Sequence, residues 1–468
     1  MLESFSKNEK TEFGKFVRSP FNPRSEVARF FDVLKKYFPS FEKKDFSKEN
    51  IYSKLYPGRK YRDDVMRKLS SNLFKLGEDY IAYKMFKKNG YEQKKYILNY
   101  YSLKGNDILF RKQADRLKSY LEGQNLRNAE YFYKLKELET IRAYHEARYD
   151  VTRKKFDNTS ERINLTLQYS LIDMLSTYDA AVNDMQYFNR KYDIDLLKPV
   201  LKIYEDPTFI KSWAAEMHYY SLKLNSDSRN DETFYIFKDL LDKHGNVLSK
   251  SELVNFYTGM HNYLFEKSLL PDTDVTQLDF KVVMKMLDLG LLTERGTISA
   301  EWFVNVFLKA IRANELKFAE KFVEEYKGML LAKERNNLVT YAYAELEMTK
   351  MNFDKALEFL AKTKFNNVWE KLRAYHMYVK IHYEKNDTES FYYITDSFRH
   401  LLKDEPSVND YVKNLYENFI KYSTMLLKIK TGEVKMAVLQ LKEKMLKEDI
   451  IGNRWLAAKV KELEIQGK

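Results

Sequence analysis

One unit repeats three times between residues 312 and 395 of this chain. Each copy has an amphipathic run, a short polar turn and a second amphipathic run. Three positions of the second run recur after 37 and then 35 residues: Leu316, Ala319 and Phe322, then Phe353, Ala356 and Phe359, then Thr388, Phe391 and Ile394. A period in the mid-thirties is typical of helical hairpins that stack, because one hairpin cannot bury its own apolar face. The sequence therefore predicts a helical-hairpin α-solenoid.

The composition favours helices throughout the chain. Only 14 glycines and 8 prolines occur in 468 residues, while 44% of the residues are hydrophobic, which is enough for a substantial core. Residues that favour helices are abundant and residues that break them are scarce. We expect an all-α protein with about 20 to 24 helices, given typical hairpin lengths.

Patterns along the chain divide it into three predicted regions. Residues 1–90 form a basic N-terminal helical domain, which ends just after an apolar helical stripe that finishes at Tyr80. Residues 91–248 form a helical middle region with few helix breakers. Residues 249–468 form the hairpin repeats with a C-terminal cap, and the most linker-like segment of the chain begins at Pro271.

Several helix starts can be read directly from polar residues. Ser6 with Glu9, and Ser249 with Glu252, have the spacing of a capping box, in which two side chains satisfy the free backbone amides of the first turn. Asp206 precedes a proline and is predicted to be the N-cap of another helix.

The segment 350–357, with the sequence KMNFDKAL, resembles the turn and second-helix start of a tetratricopeptide repeat (TPR). The resemblance implies that Ala356, with Ala344 on the preceding helix, lies where two helices cross closely. Met351 stands where the family has a glycine before the turn, and the proline that usually closes a unit is missing. The repeats are therefore expected to be divergent and TPR-like.

Longer stretches resemble a group of uncharacterised bacterial helical-repeat proteins. The stretches are HYEKNDTESF at 382–391, DSFRHLL at 396–402, NFIK at 418–421, SPFN at 19–22 and the segment 51–73. This resemblance implies the helical-repeat fold and names no activity, because the shared motifs look like packing and turn signatures.

The net charge of +12 is concentrated in the first third of the chain. Residues 1–150 hold 33 basic and 21 acidic groups, whereas the remaining residues hold 47 of each. Five lysines crowd around Tyr83, Phe86 and Tyr91: Lys84, Lys87, Lys88, Lys94 and Lys95. These lysines form a candidate patch for binding an anion or a nucleic acid. The alternative is a solvated helix face, which is what most runs of charge are.

No motif in the sequence indicates catalysis. There is no glycine-rich phosphate loop, no H-E-x-x-H zinc motif and no serine in a nucleophile elbow. The absence of cysteine excludes disulfides, thiolate metal sites and cysteine nucleophiles. We therefore predict no catalytic, cofactor-binding or metal-binding residues, and a protein that is not an enzyme.

Two functions are consistent with these features. The first is a non-catalytic interaction scaffold, which binds a protein or peptide partner through the solenoid surface. The alternative is a nucleic-acid-associated protein that uses its basic first third. The charged N-terminus does not resemble a secretory signal, and no apolar run is long enough to cross a bilayer. We expect a cytoplasmic protein without membrane insertion.

Overall fold

The computed structural model describes residues 1–21, 25–38, 41, 45–148, 152, 156–187, 190–227, 230–270, 273–365, 367–434 and 438–466. In this part of the chain 22 α-helices form, and the strands are two residues long each. The predicted all-α class and helix number are thereby confirmed. The linker predicted to begin at Pro271 starts outside the described residues.

The chain divides into two compact units. The first contains residues 1–123 and 137–157, and the second contains residues 124–136 and 158–468. The three regions predicted with boundaries at residues 90 and 248 divide the chain at other points, and that division stays a prediction.

The first unit is built around six helices. They are α1 (Lys7–Val17), α2 (Ser25–Lys35), α3 (Lys48–Leu55), α4 (Asp63–Lys88), α5 (Gly90–Leu103) and α6 (Asp107–Glu122), with a short 3-10 helix at Leu2–Ser4. Helix α7 (Ala129–Glu146) contributes residues to both units. The core between α1, α2 and α4 contains Phe13, Phe31, Leu69, Leu73 and Tyr80. The apolar stripe predicted to end at Tyr80 therefore faces this core.

The second unit contains the remaining helices. They are α8 (Thr159–Tyr187), α9 (Leu197–Glu205), α10 (Trp213–Ser226), α11 (Asp231–His244), α12 (Lys250–Leu269), α13 (Thr276–Asp288), α14 (Ala300–Arg312), α15 (Leu316–Tyr326), α16 (Ala332–Thr349), α17 (Phe353–Lys362), α18 (Val368–Glu384), α19 (Thr388–Asp404), α20 (Asp410–Thr431), α21 (Val438–Met445) and α22 (Asn453–Ile465). Two further 3-10 helices lie at Gly245–Val247 and Lys327–Met329. Strands β1 (Thr293–Glu294) and β2 (Thr297–Ile298) form an antiparallel hairpin between α13 and α14.

Helices of the second unit pack on their neighbours in sequence and on the next helix but one. Helix α16 packs along α17 and α18 packs along α19, while α14 also contacts α16 and α18 also contacts α20. Ala344 on α16 and Ala356 on α17 are both fully buried. Small side chains at these positions let two helix backbones approach closely.

Three turns between paired helices share one backbone feature. Asn314, Met351 and Asn386 have φ angles of 63°, 62° and 57°, in the left-handed region. They are 37 and then 35 residues apart, the same spacing as the apolar repeat. Asparagine tolerates this conformation and glycine prefers it, whereas methionine rarely adopts it. Met351 therefore occupies the expected glycine position at a cost in backbone strain.

The predicted helix starts are right in two places and wrong in one. Both capping boxes form, at Ser6 and at Ser249. Asp206 does not start a helix: it ends α9, and its carboxylate accepts hydrogen bonds from the backbone amide and hydroxyl of Thr208. Helix α10 begins at Trp213, with Ser212 as its N-cap. The Asp206 carboxylate already accepts hydrogen bonds within its own turn, and such local bonds compete with capping of a following helix.

The β-hairpin was not predicted. Its two-residue turn is Arg295-Gly296, and both residues have positive φ, at 49° and 79°. A short turn that ends in glycine is the local signal for such a hairpin, but the strands on either side are too short to show an alternating pattern.

We predict that Met351→Gly stabilises the protein. Glycine removes the left-handed backbone penalty, so the free energy of unfolding should rise by about 0.5–1 kcal/mol in urea denaturation. Met351→Ala is the control, because alanine keeps the penalty and should give no gain. Equal stability of the glycine and alanine variants would contradict the turn geometry.

Candidate anion-binding cavity

Five helices of the second unit surround a cavity of about 350 Å³. Helices α12, α14, α16, α18 and α20 each contribute two side chains separated by four residues, which places both on one helix face. The pairs are His261 and Phe265, Asn305 and Lys309, Tyr341 and Glu345, His376 and Lys380, and Val412 and Tyr416. From one helix to the next, equivalent positions are 44, 36, 35 and 36 residues apart. The sequence repeat thus brings one position of every second helix to the same cavity.

Positive charge dominates the lining of the cavity. Lys309, Arg312, Arg373 and Lys380 line it, and among the described lining residues Glu345 supplies the one carboxylate. Arg312 is exposed and Arg373 is half-buried. Within the described residues, no carboxylate forms an ion pair with Arg312, Arg373 or Lys380. The cavity therefore holds three cationic groups without direct counter-charges.

Lys309 differs from the other three cations because its charge is neutralised. Its ammonium forms an ion pair with Asp279 of α13, and the other carboxylate oxygen of Asp279 lies 2.9 Å from Nδ1 of His261. Burial raises the pKa of Asp279, but the Lys309 ammonium and the His261 hydrogen bond outweigh burial and lower it to about 2. Burial lowers the pKa of Lys309, and Asp279 opposes that effect. This buried pair is a structural part of the cavity wall and leaves no free charge on Lys309.

Lys380 carries the most perturbed charge in the cavity. Burial lowers the pKa of its ammonium to about 8; Glu345 and Glu384 oppose this effect, and Arg312 lowers the pKa further. The Lys380 Nζ atom lies 6.0 Å from the ring centre of Phe419. At neutral pH the ammonium is thus protonated in an environment that only weakly stabilises its charge.

Two tyrosines and a histidine complete the polar lining. The Tyr341 hydroxyl donates a hydrogen bond to Glu345 at 2.7 Å, and burial raises the pKa of this tyrosine well above its usual value. Burial also raises the pKa of Tyr416, to about 12. His376 has its pKa lowered well below its usual value by burial, so its ring is neutral. At neutral pH, both hydroxyls are therefore protonated and can donate hydrogen bonds.

The backbone of Gly452 packs closely against the His376 ring. Its φ is 74°, and a Cβ atom added at this glycine would lie 2.6 Å from Nε2 of His376. A side chain at position 452 would therefore displace the ring. The close approach requires glycine for two reasons, the backbone conformation and the lack of space.

This arrangement suits a ligand that carries carboxylate or phosphate groups. Arginine guanidinium groups present paired donors that match the oxygens of such anions, and an ammonium adds a compact charge. A volume of about 350 Å³ lies at the lower end of the usual range for small-ligand pockets. It equally accommodates one or two side chains of a peptide.

The five lysines predicted as an anion-binding patch lie in the first unit, on α4 and α5. Lys84 Nζ is 2.8 Å from a glutamate of α1, and Lys95 Nζ is 2.8 Å from Glu92. Lys94 lies over a tyrosine ring of α6. Lys87 and Lys88 are exposed at the end of α4. Two of the five charges are thus engaged in ion pairs, and binding by the patch stays a prediction.

Sequence reasoning did not identify Arg312, Glu345, Arg373 or Lys380 as candidate site residues. The sequence contained a signal for part of this set: the polar residues Lys309, Glu345, Lys380 and Tyr416 follow one another with nearly the period of the apolar repeat. The apolar residues that reveal the repeat lie on the second helix of each hairpin. Polar positions on the first helix carry the same period and line the cavity.

Comparison with known proteins finds no family model, no curated protein and no solved structure that matches this chain. Among the described helices, none is long and apolar enough to cross a membrane. The described residues also contain no cluster of three histidine, aspartate or glutamate side chains arranged to hold a metal ion. The cavity itself is therefore the main indication of function.

We predict that Lys380→Met stabilises the protein at neutral pH. The pKa of Lys380 is about 8 in the folded chain and about 10.4 in an unfolded chain. The protonated form is therefore disfavoured by folding, and its cost is full below the folded pKa and vanishes above the unfolded one. Removing the charge should raise the free energy of unfolding near pH 7 by about 1–3 kcal/mol.

Urea denaturation near pH 7 and again above the unfolded pKa measures this effect. The gain from Lys380→Met should shrink at the higher pH, because the parent ammonium is then neutral. Lys371→Met, at an exposed lysine of the same helix, is the control and should change stability little at either pH. A loss of stability in Lys380→Met near pH 7 would mean that the ammonium is well compensated.

Proposed function

We propose that this protein is a non-catalytic binding protein that holds a peptide or protein partner on a TPR-like helical-hairpin solenoid. In this proposal the second unit is the solenoid. Helices α12, α14, α16, α18 and α20 form its inner surface, and an acidic segment of the partner enters the cavity between them.

Two independent patterns support a solenoid. Cavity-lining pairs recur on every second helix with spacings of 35 and 36 residues beyond α14. The left-handed turn residues Asn314, Met351 and Asn386 recur with spacings of 37 and 35. A repeated hairpin that contacts only its neighbours produces this kind of agreement, since each copy has the same turn and the same inner face.

The single observation that carries the proposed binding function is the set of uncompensated cations Arg312, Arg373 and Lys380. Arg373 and Lys380 are half-buried, and placing them beside the exposed Arg312 costs stability that the fold does not regain by itself. Sites that bind ligands commonly retain such a cost because the ligand supplies the missing charge. An anionic partner is therefore the simplest reason for these three side chains.

Direct binding of an acidic peptide tests the proposed function. The probe is a fluorescein-labelled hexaglutamate peptide, and the measurement is fluorescence anisotropy near physiological salt. We expect Arg373→Gln and Lys380→Gln each to weaken binding about tenfold or more, because a hydrogen bond to a charged group contributes about 1.5–3 kcal/mol. Binding should also weaken as the pH rises through the pKa of Lys380, which is about 8.

Matched controls come from exposed cations on the second helices of the hairpins. Lys355→Gln on α17 and Arg399→Gln on α19 remove the same charge at exposed positions outside the cavity lining, so binding should stay near the parent value. If the parent does not bind the peptide, or if the control variants lose as much affinity as Arg373→Gln, the cavity is not the binding site.

A second candidate function is nucleic-acid binding by the basic patch of the first unit. The observation in its favour is that aromatic side chains on α4 and α5 are exposed: Tyr83, Tyr96 and Tyr100 keep 50%, 59% and 57% of their surface accessible. Exposed rings beside lysines can stack on bases while the lysines contact phosphates. The ion pairs of Lys84 and Lys95 reduce the charge available for this role.

Salt dependence distinguishes this second candidate. The test variant is the double change Lys87→Glu and Lys88→Glu, which leaves the ion pairs of Lys84 and Lys95 intact. If the patch contacts phosphates, affinity for single-stranded RNA should fall about tenfold or more between about 50 and 200 mM salt, and the variant should lose binding. We expect only weak binding, with a dissociation constant of about 10⁻⁴ to 10⁻⁶ M, as for any basic surface. A tight complex that the double variant abolishes would favour the second candidate.

A further inference from the structure

A second polar site lies in the same unit, between helices α7, α8, α10 and α12. Two cavities of about 170 and 510 Å³ share four lining residues and therefore adjoin: Ser176, His218, Glu252 and Asn255. We call the two together the acidic groove. The residues of α12 that line the acidic groove differ from His261 and Phe265, which line the anion-binding cavity described above.

The charge of the acidic groove is opposite to that of the whole chain. Its described lining contains neither lysine nor arginine. Five carboxylates and five amides line it: Glu130, Asp173, Asp179, Asp184 and Glu252, with Asn128, Asn183, Asn225, Asn255 and Asn262. Glu130 and Asp184 have cationic partners nearby, at 2.7 Å and 2.9 Å. In a chain with a net charge of +12, a groove of this composition is distinctive.

Asp179 is half-buried and lines the groove. One carboxylate oxygen accepts a hydrogen bond from the Ser221 hydroxyl and the other from the Asn225 amide, each at 2.6 Å. Both donors are neutral, and within the described residues no cation pairs with Asp179. Burial raises the pKa of this carboxyl to about 6. The fold thus positions an ionisable carboxylate firmly and leaves its charge uncompensated.

His218 is the second unusual group in the groove. Only 8% of its surface is exposed, and its ring lines both cavities. Its ring packs against Phe256, and among the described residues it has no hydrogen-bond partner. Burial lowers the pKa of His218 to about 4, so the ring is neutral near pH 7 and one nitrogen can accept a hydrogen bond. Buried polar side chains normally have a hydrogen-bond partner, and a ligand in the groove would supply one to His218.

From this geometry we propose that the acidic groove binds an alkylammonium group, with Asp179 as counter-charge and His218 and Glu252 as further acceptors. An ammonium has three N–H donors and no acceptor, so it matches a site that offers acceptors in several directions. The two connected cavities are far larger than a metal ion and have room for the alkyl chain that carries the ammonium. A lysine side chain of a peptide and a free polyamine share this chemistry.

Isothermal titration calorimetry with two probes tests the assignment and separates the two sources. The probes are spermidine and an acetylated, amidated peptide of alternating lysine and glycine, each titrated into the full chain near pH 7.5. We expect binding of at least one probe at one site per chain. Tighter binding of spermidine would identify a free polyamine, and tighter binding of the peptide would identify a lysine side chain. If neither probe binds, the proposal is wrong.

Asp179→Asn is the decisive variant, because it keeps the shape of the side chain and removes the charge. We expect it to weaken binding of the probe about tenfold or more, consistent with a loss of one charge-assisted contact. Asp239→Asn, at an exposed aspartate of α11 outside the groove, is the matched control and should bind like the parent. Equal losses in the two variants would indicate only a general attraction to negative charge.

Two further measurements keep the result interpretable. Thermal unfolding of Asp179→Asn near pH 7.5 should give a Tm at or above that of the parent, since the variant lacks an uncompensated buried charge. Binding to the parent should weaken as the pH falls through about 6, where Asp179 becomes protonated. His218 stays neutral over this range. The other carboxylates that line the groove are Glu130, Asp173, Asp184 and Glu252. If the pH dependence persists in Asp179→Asn, another carboxylate is responsible and the assignment fails.

Discussion

The structure depends on one packing constraint: each helix of the second unit buries its apolar face against neighbouring helices. Ala344 and Ala356 illustrate this constraint, because both are fully buried in the α16–α17 pair. Burial of the apolar faces aligns equivalent positions of every second helix on the opposite side. The polar residues at those positions then share a cavity, although they are distant in sequence. Packing on one face of each helix thereby determines which charges meet on the other.

The second unit treats its inward-facing charges in two different ways. Lys309 is paired with Asp279 and supported by His261, so its buried charge is neutralised within the fold. Lys380 and Asp179 also line cavities of the second unit, but neither forms an ion pair among the described residues. Burial shifts their pKa values in opposite directions, to about 8 and about 6, because burial disfavours the charged form of each. Such groups lower the stability of the free protein and are suited to ligands of opposite charge.

Local sequence signals succeeded where the relevant physics is local. The capping boxes at Ser6 and Ser249 form because both partners lie within one helical turn. The left-handed turn at Met351 agrees with the alignment of the repeats even though methionine is a poor residue for it. Asp206 shows the limit of such signals: its carboxylate can cap a helix or close its own turn, and the choice depends on how the neighbouring helices pack. The short β-hairpin could not be predicted because two-residue strands leave no pattern.

By itself, the sequence determined the helical class and the number of helices. These properties follow from residue composition and from apolar spacing along one helix, which short stretches of chain already contain. Only the tertiary structure decided which polar residues meet, because Arg312 at the end of α14 approaches Arg373 and Lys380 of α18 only when the helices pack. It likewise separated the lysines of α4 and α5 into ion-paired and exposed groups. Charge can be counted from a sequence, but whether a charge is compensated depends on distances between elements.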